Sequence, residues 1–265
     1  MRLNNMKCRF IDTGHKDAYT NMAIDESILN FCKKPTLRVY QWTAPSISVG
    51  YNQNVGKEIN FDNCKKHKVP IVRRITGGKA VLHDKEVTYS FILPENLLEM
   101  PRDILKSYKV IAQALVLAFE TIGIKAIIQK QPQKLATPIC FNSSNWYELT
   151  VNNKKISGSA QRRLKGKILQ HGPLLIDFDY EKNAMLFPSD NAKELAEGLK
   201  KRITSIKREL GIDVSYNEMV SAIKHGFQKN FKFDFFEDEL TNEEKKLADT
   251  LKKEKYSTDT WNLKT

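Results

Sequence analysis

Cysteine is scarce in this sequence of 265 residues, and its four copies lie far apart. Disulfide frameworks and zinc knuckles need cysteines at short, repeated spacings, and no such spacing occurs here. We therefore predict reduced thiols and no metal site. Whether one of the thiols is reactive depends on its surroundings, because the thiolate is the nucleophile. The four residues are Cys8, Cys32, Cys64 and Cys140.

Long apolar runs are also missing. No stretch approaches the roughly 18–20 uninterrupted apolar residues that a membrane span needs. The first eight residues, MRLNNMKC, lack the apolar core of a secretory signal. A hydrophobic share of 41% and a charged share of 28% are ordinary for a soluble globular protein. The sequence thus predicts a cytoplasmic protein with no membrane partner.

Acidic residues are outnumbered, since 43 Lys and Arg against 31 Asp and Glu give a net charge of +12. Such a charge favours an anionic partner, which can be a nucleic acid, an acidic membrane surface or an acidic protein. The lysines form separate clusters and no basic stripe with interleaved aromatic residues, so we expect no nucleic-acid partner. A solvated, lysine-rich surface explains the charge equally well.

Internal repeats and low-complexity tracts are absent, and the pattern of elements indicates an α+β chain. Apolar residues at spacings of three and four predict a helix from about 102 to 122, with Gly123 as its C-cap. Short β-branched runs predict strands on both sides of it, including one over 124–128. Asn152-Asn153 can form a hairpin turn. We divide the chain into a catalytic domain, 1–182, and a small, mostly helical extension packed on it, 183–265.

The most informative stretch is RRITGGKAVLHD, at 73–84. Adjacent glycines after a strand let the backbone approach a ligand closely, and exposed N–H groups there can hold an oxyanion. Arg73, Arg74 and Lys79 add positive charge around Gly77-Gly78. A Gly-Gly pair alone is better explained by a β-turn with solvated basic neighbours.

The full run resembles the Arg-Arg-x-x-Gly-Gly-x-x-Val-x-His-Asp signature of the lipoate-protein ligase and octanoyltransferase family. Further blocks resemble the same family in the same order: NMAIDE at 21–26, SVGYNQ at 48–53, KISGSAQ at 155–161 and QHGPLL at 170–175. The resemblance implies the biotin/lipoate ligase-like fold, a mixed, largely antiparallel sheet flanked by helices. It also implies that the substrate contacts the signature and the 155–161 block. The implied contacts are Arg73, Arg74, Gly77, Gly78, Lys79, His83, Gly158, Ser159 and His171.

Three chemistries share this scaffold. Lipoate ligases use ATP and need no nucleophilic cysteine. LipM-type octanoyltransferases and LipL-type amidotransferases both form a cysteine thioester, but they take the acyl group from different donors. The run CFNSSNWYEL at 140–149, the run QRRLKGKILQHG at 161–172 and the tail from Leu240 to Asn262 are similar to the LipM type. The cysteine precedes the lysine block, unlike in LipB-type octanoyltransferases.

Two residues are the predicted catalytic pair. Most free cysteines are buried core thiols, but the polar residues around Cys140 indicate a loop. The resemblance makes Cys140 the nucleophile and Lys155 its partner, which lowers the thiol pKa, holds the acyl carbonyl or deprotonates the incoming amine. Lys154, next to it, does not match the family lysine. His83 and His171 are either structural or catalytic, since geometry must decide a base.

The resemblance therefore implies an enzyme that moves octanoate from acyl carrier protein to a lysine of a lipoyl domain, such as glycine cleavage H protein. It implies no cofactor, because only a lipoate-protein ligase would require ATP and Mg²⁺. Besides the ligase, a LipL-type amidotransferase is compatible with the same motifs. A non-catalytic lipoyl-domain-binding protein would be expected to lack Cys140 or Lys155, and both are present. Lys79 departs from the ligases, which often have glycine there. Trp42, Val49 and Tyr51 are candidate walls for the octanoyl chain.

Overall fold

The computed structural model describes residues 6–129 and 148–264. The strands are β1 Met6–Lys16, β2 Thr36–Trp42, β3 Ser46–Val49, β4 Ile71–Arg73, β5 Val81–His83, β6 Glu86–Pro94, β7 Ile127–Ile128, β8 Leu149–Val151, β9 Lys154–Ser157, β10 Ala160–Leu164, β11 Lys167–Leu175 and β12 Phe233–Glu237. The helices are α1 Ala18–Phe31, α2 Val55–Glu58, α3 Phe61–Lys66, α4 Ile104–Thr121, α5 Tyr180–Leu186, α6 Ala192–Arg202, α7 Ile206–Leu210, α8 Tyr216–Phe231, α9 Asn242–Leu251 and α10 Asp259–Asn262, with a π-helical turn at Lys252–Tyr256.

Within these ranges the strands form two sheets. The large one has the order β12-β1-β2-β6-β11-β9-β8-β7, and β10 pairs with β11 beside this path. β1 runs parallel to β2 and β12, and the remaining pairs of this sheet are antiparallel. The small sheet has the order β4-β3-β5. The predicted α+β fold, with a mixed and largely antiparallel sheet flanked by helices, is confirmed.

Local sequence explains the longest helix and its end. Asp103 caps the N-terminus of α4 by accepting a hydrogen bond from the N–H of Lys106. At the other end Gly123 has φ +85°, and the N–H of Ile124 donates to the carbonyl of Phe119. This is a Schellman cap, which needs a residue in the left-handed region. The strand predicted over 124–128 is correspondingly shorter, because Ile124 belongs to the cap.

The main core lies between the large sheet and a layer formed by α4 and α8. Two further cores lie under the small sheet and under α1. The N-terminal and C-terminal parts of the chain share these cores. Phe227 and Phe233 pack with Phe91 on the main sheet, and Tyr256 packs in the core beneath α1. The domain boundary at residue 182 stays a prediction, and packing is continuous across it.

Across both described ranges, no helix is long and apolar enough to cross a bilayer.

Gly226 sets the distance between α8 and α4. A Cβ on Gly226 would lie 2.2 Å from the carbonyl oxygen of Ala114 and 2.7 Å from the N of Ala118. We expect Gly226→Ala to lower the free energy of unfolding by about 1–3 kcal/mol, because the helices must move apart. Gly198→Ala, in α6, is the matched control, since its Cβ has only an ordinary contact at 3.7 Å.

The control should instead stabilise the protein by up to about 1 kcal/mol through helix propensity. Urea unfolding of the two variants measures the difference. Equal effects of the two substitutions would contradict the close helix contact.

Candidate active site

A cavity that opens to solvent lies between the two sheets and α1, with about 570 Å³ of empty space when the solvent at its open side is included. Seven of the predicted site residues line it, and Gly78 is also solvent-exposed, so the Gly77-Gly78 turn marks its mouth. Cys140 lies outside the described residues. The lining residues are Met22, Tyr40, Trp42, Ser48, Arg74, Gly78, Val81, His83, Thr88, Glu148, Lys155, Gly158, Ser159, Ala160, His171, Gly172 and Pro173.

Lys155 reaches the cavity from β9 and forms a buried ion pair. Its Nζ lies 2.6 Å from Oε1 of Glu148, and the two side chains are 7% and 4% exposed. A carboxylate at this distance favours the charged form of the lysine. Asn152 and Asn153 both have positive φ, 48° and 62°, which is the hairpin turn that joins β8 to β9 and sets the pair.

The sequence reasoning did not identify Glu148. The sequence does contain the information needed to find it, because a turn at Asn152-Asn153 brings the residues before β8 alongside those of β9. A carboxylate just before an apolar strand, facing the family lysine across that hairpin, is the expected partner of a buried ammonium group.

Two glycines make room for Lys155. A Cβ on Gly158 would lie 2.7 Å from Cε and 2.8 Å from Nζ of Lys155. A Cβ on Gly172 would lie 2.2 Å from the carbonyl oxygen of Gly158. Strand β11 and the turn between β9 and β10 therefore approach each other through glycine, and the lysine side chain folds over that turn.

His171 is held between a carboxylate and a hydroxyl group. Its Nδ1 lies 2.9 Å from Oδ2 of Asp25, and its Nε2 lies 2.7 Å from Oγ1 of Thr76. Burial lowers the pKa of His171 below its ordinary value, although the Asp25 carboxylate opposes this. Burial raises the pKa of Asp25, but the Arg38 guanidinium at 2.6 Å and His171 together outweigh it, and the net shift is downward. His171 is accordingly a neutral imidazole that donates from Nδ1 and accepts at Nε2.

His83 has the same arrangement on the opposite wall. Its Nδ1 lies 2.7 Å from Oε1 of Glu86, and its Nε2 lies 2.7 Å from Oγ of Ser48. The Trp42 ring stacks on it with centroids 4.0 Å apart and planes at 13°. Both nitrogens of each histidine are thus engaged by the protein. Both rings are therefore held in fixed orientations in the walls of the cavity.

The two arginines of the signature have different surroundings. Arg74 lines the cavity and donates to the carbonyls of Ser48, Gly77 and Lys79, which fixes the glycine turn. Arg73 is fully buried away from the cavity, and its donors are all on backbone carbonyls. Arg73 therefore holds these backbone segments together and does not line the cavity. Its acceptors are Gly50, Tyr51, Gln53, Trp261, Asn262 and Lys264.

Of the three proposed walls for the acyl chain, the cavity includes Trp42 alone. In β3, Ser48 faces the cavity, so Val49 faces the opposite way and packs in the core of the small sheet. Tyr51 lies outside, against Trp261. The expectation for Val49 was wrong because it ignored the alternation of side chains along the strand, and Tyr51 lies beyond the end of β3 and does not line the cavity. The apolar walls are Met22, Tyr40, Trp42, Val81, Ala160 and Pro173.

Comparison with known proteins identifies the family. The lipoyl protein ligase A/B catalytic domain matches residues 17–228. This chain belongs to that family. Octanoyltransferase LipM of Bacillus subtilis is 38% identical over 271 residues, covering 97% of this chain and 98% of that protein. The LipM of Staphylococcus epidermidis is 39% identical, with 95% and 96% covered. These full-length relatives confirm the predicted octanoyltransferase class.

Solved structures agree on the fold. A bi-partite lipoate protein ligase from Thermoplasma acidophilum superposes with a TM-score of 0.83 at 27% identity, covering 97% of this chain and 96% of that one. A lipoate-protein ligase A bound with ATP also gives 0.83, at 26% identity, with 97% and 99% covered. The chain is an acyltransferase on a scaffold that it shares with ligases.

Three of the four thiols are unsuited to catalysis. Cys8, Cys32 and Cys64 are buried, and none of them lines the cavity. Burial raises the pKa of Cys32 to about 12 and that of Cys64 to about 11, and it also raises that of Cys8. These thiols stay protonated at neutral pH and so are poor nucleophiles. In the described ranges, no group of three His, Cys, Asp or Glu side chains is arranged to hold a metal ion.

Gly158 allows a direct test of the position of Lys155. In Gly158→Ala the new methyl group would displace the end of a flexible side chain, which costs little stability but moves the ammonium group. We expect kcat to fall at least tenfold, because small misplacements of a catalytic group have large effects on rate. Thermal unfolding should change little.

Gly56→Ala, in α2, is the control for this test, since its Cβ would meet only Oδ1 of Asn54 at 3.5 Å. It should leave both kcat and Tm near those of the wild type. Full activity in Gly158→Ala would show that the position of Lys155 is not critical.

Proposed function

We propose that this enzyme transfers an octanoyl group from octanoyl-acyl carrier protein to a lysine of a lipoyl domain, such as glycine cleavage H protein, through a thioester on Cys140. The observation that carries the proposal is the buried Lys155–Glu148 pair in the wall of an otherwise largely apolar cavity. Such a cation, fixed in an apolar site, suits acyl transfer, in which negative charge develops on an oxygen or a sulfur.

The cavity suits a medium-length acyl chain. Its walls include the side chains of Met22, Trp42 and Val81. An octanoyl chain has seven carbon groups beyond its carbonyl, and each contributes ~0.8 kcal/mol when it leaves water. Burial of the chain therefore supplies roughly 5–6 kcal/mol of binding free energy. The carbonyl end is then directed towards the charged part of the cavity.

The ion pair with Glu148 reduces the number of possible roles for Lys155. Of the three roles that the sequence leaves open, two need an ammonium ion and one needs a free amine. Because Glu148 stabilises the ammonium ion, Lys155 acts by charge. It favours the Cys140 thiolate, and it donates to the carbonyl oxygen as that oxygen becomes negative.

The reaction has two balanced steps. In the first, the Cys140 thiolate attacks the octanoyl carbon, a new C–S bond forms, and the phosphopantetheine thiolate leaves and takes up a proton. In the second, the neutral acceptor amine attacks the enzyme thioester, a C–N bond forms, the C–S bond breaks, and one proton passes from the nitrogen to solvent as the Cys140 thiolate leaves. Exchange of one thioester for another changes the free energy little, and formation of the more stable amide drives the two-step reaction forward.

The proposed role of Cys140 as the nucleophile rests on its place in the sequence and on the burial of the other three thiols. The acceptor and donor follow from the family and from charge, since acyl carrier proteins and lipoyl domains are typically acidic and this chain carries +12.

An ATP-dependent ligase is the second candidate, because a ligase bound with ATP shares the fold. Nucleotide phosphates would need donors at the Gly77-Gly78 turn. Arg74, the cation behind that turn, already donates to the carbonyls of Ser48, Gly77 and Lys79. The arrangement of Arg74 supports the transferase over the ligase.

Intact mass spectrometry tests the thioester. After incubation with octanoyl-acyl carrier protein and no ATP, we expect the enzyme to gain the mass of one octanoyl group, which hydroxylamine removes. Cys140→Ala should not gain it, whereas Cys64→Ala, a change at a buried thiol, should. Acylation of the acceptor that needs ATP and survives Cys140→Ala would establish the ligase. Labelling from an octanoylated H protein in place of the carrier protein would establish the LipL-type reaction.

A pair of charge-neutralising variants tests the role of Lys155. The double change Lys155→Met with Glu148→Gln removes both charges together, so it leaves no buried unpaired ion. We expect the rate of thioester formation to fall by about 10²–10³, as for loss of an oxyanion donor. Lys154→Met, at the neighbouring residue, should have little effect. A wild-type rate of thioester formation in the double variant would contradict the electrostatic role of Lys155.

A further inference from the structure

A group of cations and aromatic rings lies beside the mouth of the cavity. We call Tyr51, Arg162, Trp261 and Lys264 the mouth cluster. The Arg162 guanidinium lies 4.5 Å from the centre of the Tyr51 ring, and Nζ of Lys264 lies 4.0 Å from the same centre. Nζ of Lys264 is also 4.2 Å from the Trp261 ring. The two cations share one ring, so they lie at most 8.5 Å apart.

Two contacts place the mouth cluster next to the cavity. Ala160 lines the cavity, and Arg162 is the next residue on the same face of β10. Tyr51 follows Gly50, whose Cα is so close to the glycine turn that an added Cβ would lie 1.9 Å from the carbonyl oxygen of Gly78. The Cα of Arg162 therefore lies about one strand repeat, ~7 Å, from the Cα of Ala160 in the cavity wall.

The charges of the mouth cluster are not balanced by carboxylates. Arg162 donates to the backbone carbonyl of Ile75 at 2.6 Å, and neither it nor Lys264 makes an ion pair with a carboxylate of residues 6–129 or 148–264. Lys255, whose Nζ also lies 4.0 Å from the centre of the Trp261 ring, differs because it pairs with Glu26 at 2.6 Å. Two adjacent half-buried cations without an anion favour an anionic group from a partner.

The cluster is also held in place before any partner arrives. Aromatic rings fix both cations, and the backbone carbonyl of Lys264 accepts a hydrogen bond from Arg73 at 2.6 Å. The indole N–H of Trp261 donates to the carbonyl of Arg73 at 2.9 Å. Groups that are already ordered lose little entropy when they bind.

We propose that the mouth cluster binds carboxylates that flank the target lysine of the acceptor domain, and that it does not serve the donor. This inference rests on the proposed function. A lysine side chain reaches only about 6 Å from its Cα, so the surface of the acceptor must lie against the mouth when its amine enters. The phosphopantetheine arm of the donor is several times longer, so the carrier protein docks farther away. Cations at the rim thus contact the acceptor.

The test measures the two half-reactions separately. In the charge-reversed variant Arg162→Glu with Lys264→Glu, thioester formation from octanoyl-acyl carrier protein should proceed at the wild-type rate. Transfer from the preformed thioester to the lipoyl domain should fall at least tenfold in kcat/KM at low salt, through KM. The difference from wild type should shrink as the salt concentration rises. Arg162→Lys, which keeps the charge, should stay close to wild type.

Lys34→Glu is the matched control. Lys34 also lies over an aromatic ring, with Nζ 5.1 Å from the centre of Phe236. It precedes β2 at the end of that strand opposite to Trp42, about 20 Å from the cavity. It should change neither half-reaction.

The proposal is overturned if both half-reactions of the double variant fall alike, if neither falls, or if Lys34→Glu has the same effect. If the wild type forms no thioester without ATP, the proposed chemistry fails instead. The acceptor KM, then measured with octanoate and ATP, still decides the role of the mouth cluster, since a normal KM in the double variant overturns it.

Discussion

The arrangement of the site depends on the buried guanidinium of Arg73. A fully buried charge is costly unless its donors are satisfied, and here six backbone carbonyls from two distant parts of the chain satisfy them. One group follows β3, at Gly50 to Gln53, and the other is the C-terminal segment at Trp261 to Lys264. The same contacts fix the end of β3, the start of the glycine turn and the C-terminal segment.

These contacts of Arg73 also position one wall of the cavity. Gly50 packs directly on Gly78, and the adjacent Arg74 holds the turn by its carbonyls. The turn and β3 then form one wall, which carries Ser48 and, through it, orients His83. On the other wall Asp25 orients His171. The polar groups of the cavity are therefore set by the fold before substrate binds, as electrostatic catalysis requires.

Much of this could be predicted from residues that are close in the chain. The period of α4, its glycine cap, the Asn152-Asn153 turn and the order of the family blocks are local signals. Glu148 and the orientation of Val49 were within reach, since the first needs only the hairpin and the second only strand alternation. The contacts of Arg73 could not be predicted, because the sequence around an arginine next to a glycine pair is the same whether its side chain faces a ligand or the distant C-terminal carbonyls. Likewise, no local pattern shows that β12 pairs with β1.

The state of Lys155 also bears on the second half of the proposed reaction. The acceptor lysine has an ordinary pKa of about 10.4 and must lose a proton before it attacks. The histidines have their ring nitrogens engaged, and Lys155 is held as an ammonium ion by Glu148. A fixed positive charge nevertheless disfavours a second ammonium ion nearby, just as it favours a thiolate. In the proposed reaction one cation assists both steps, since it promotes the thiolate in the first and the neutral amine in the second. A neutral Lys155 would do neither.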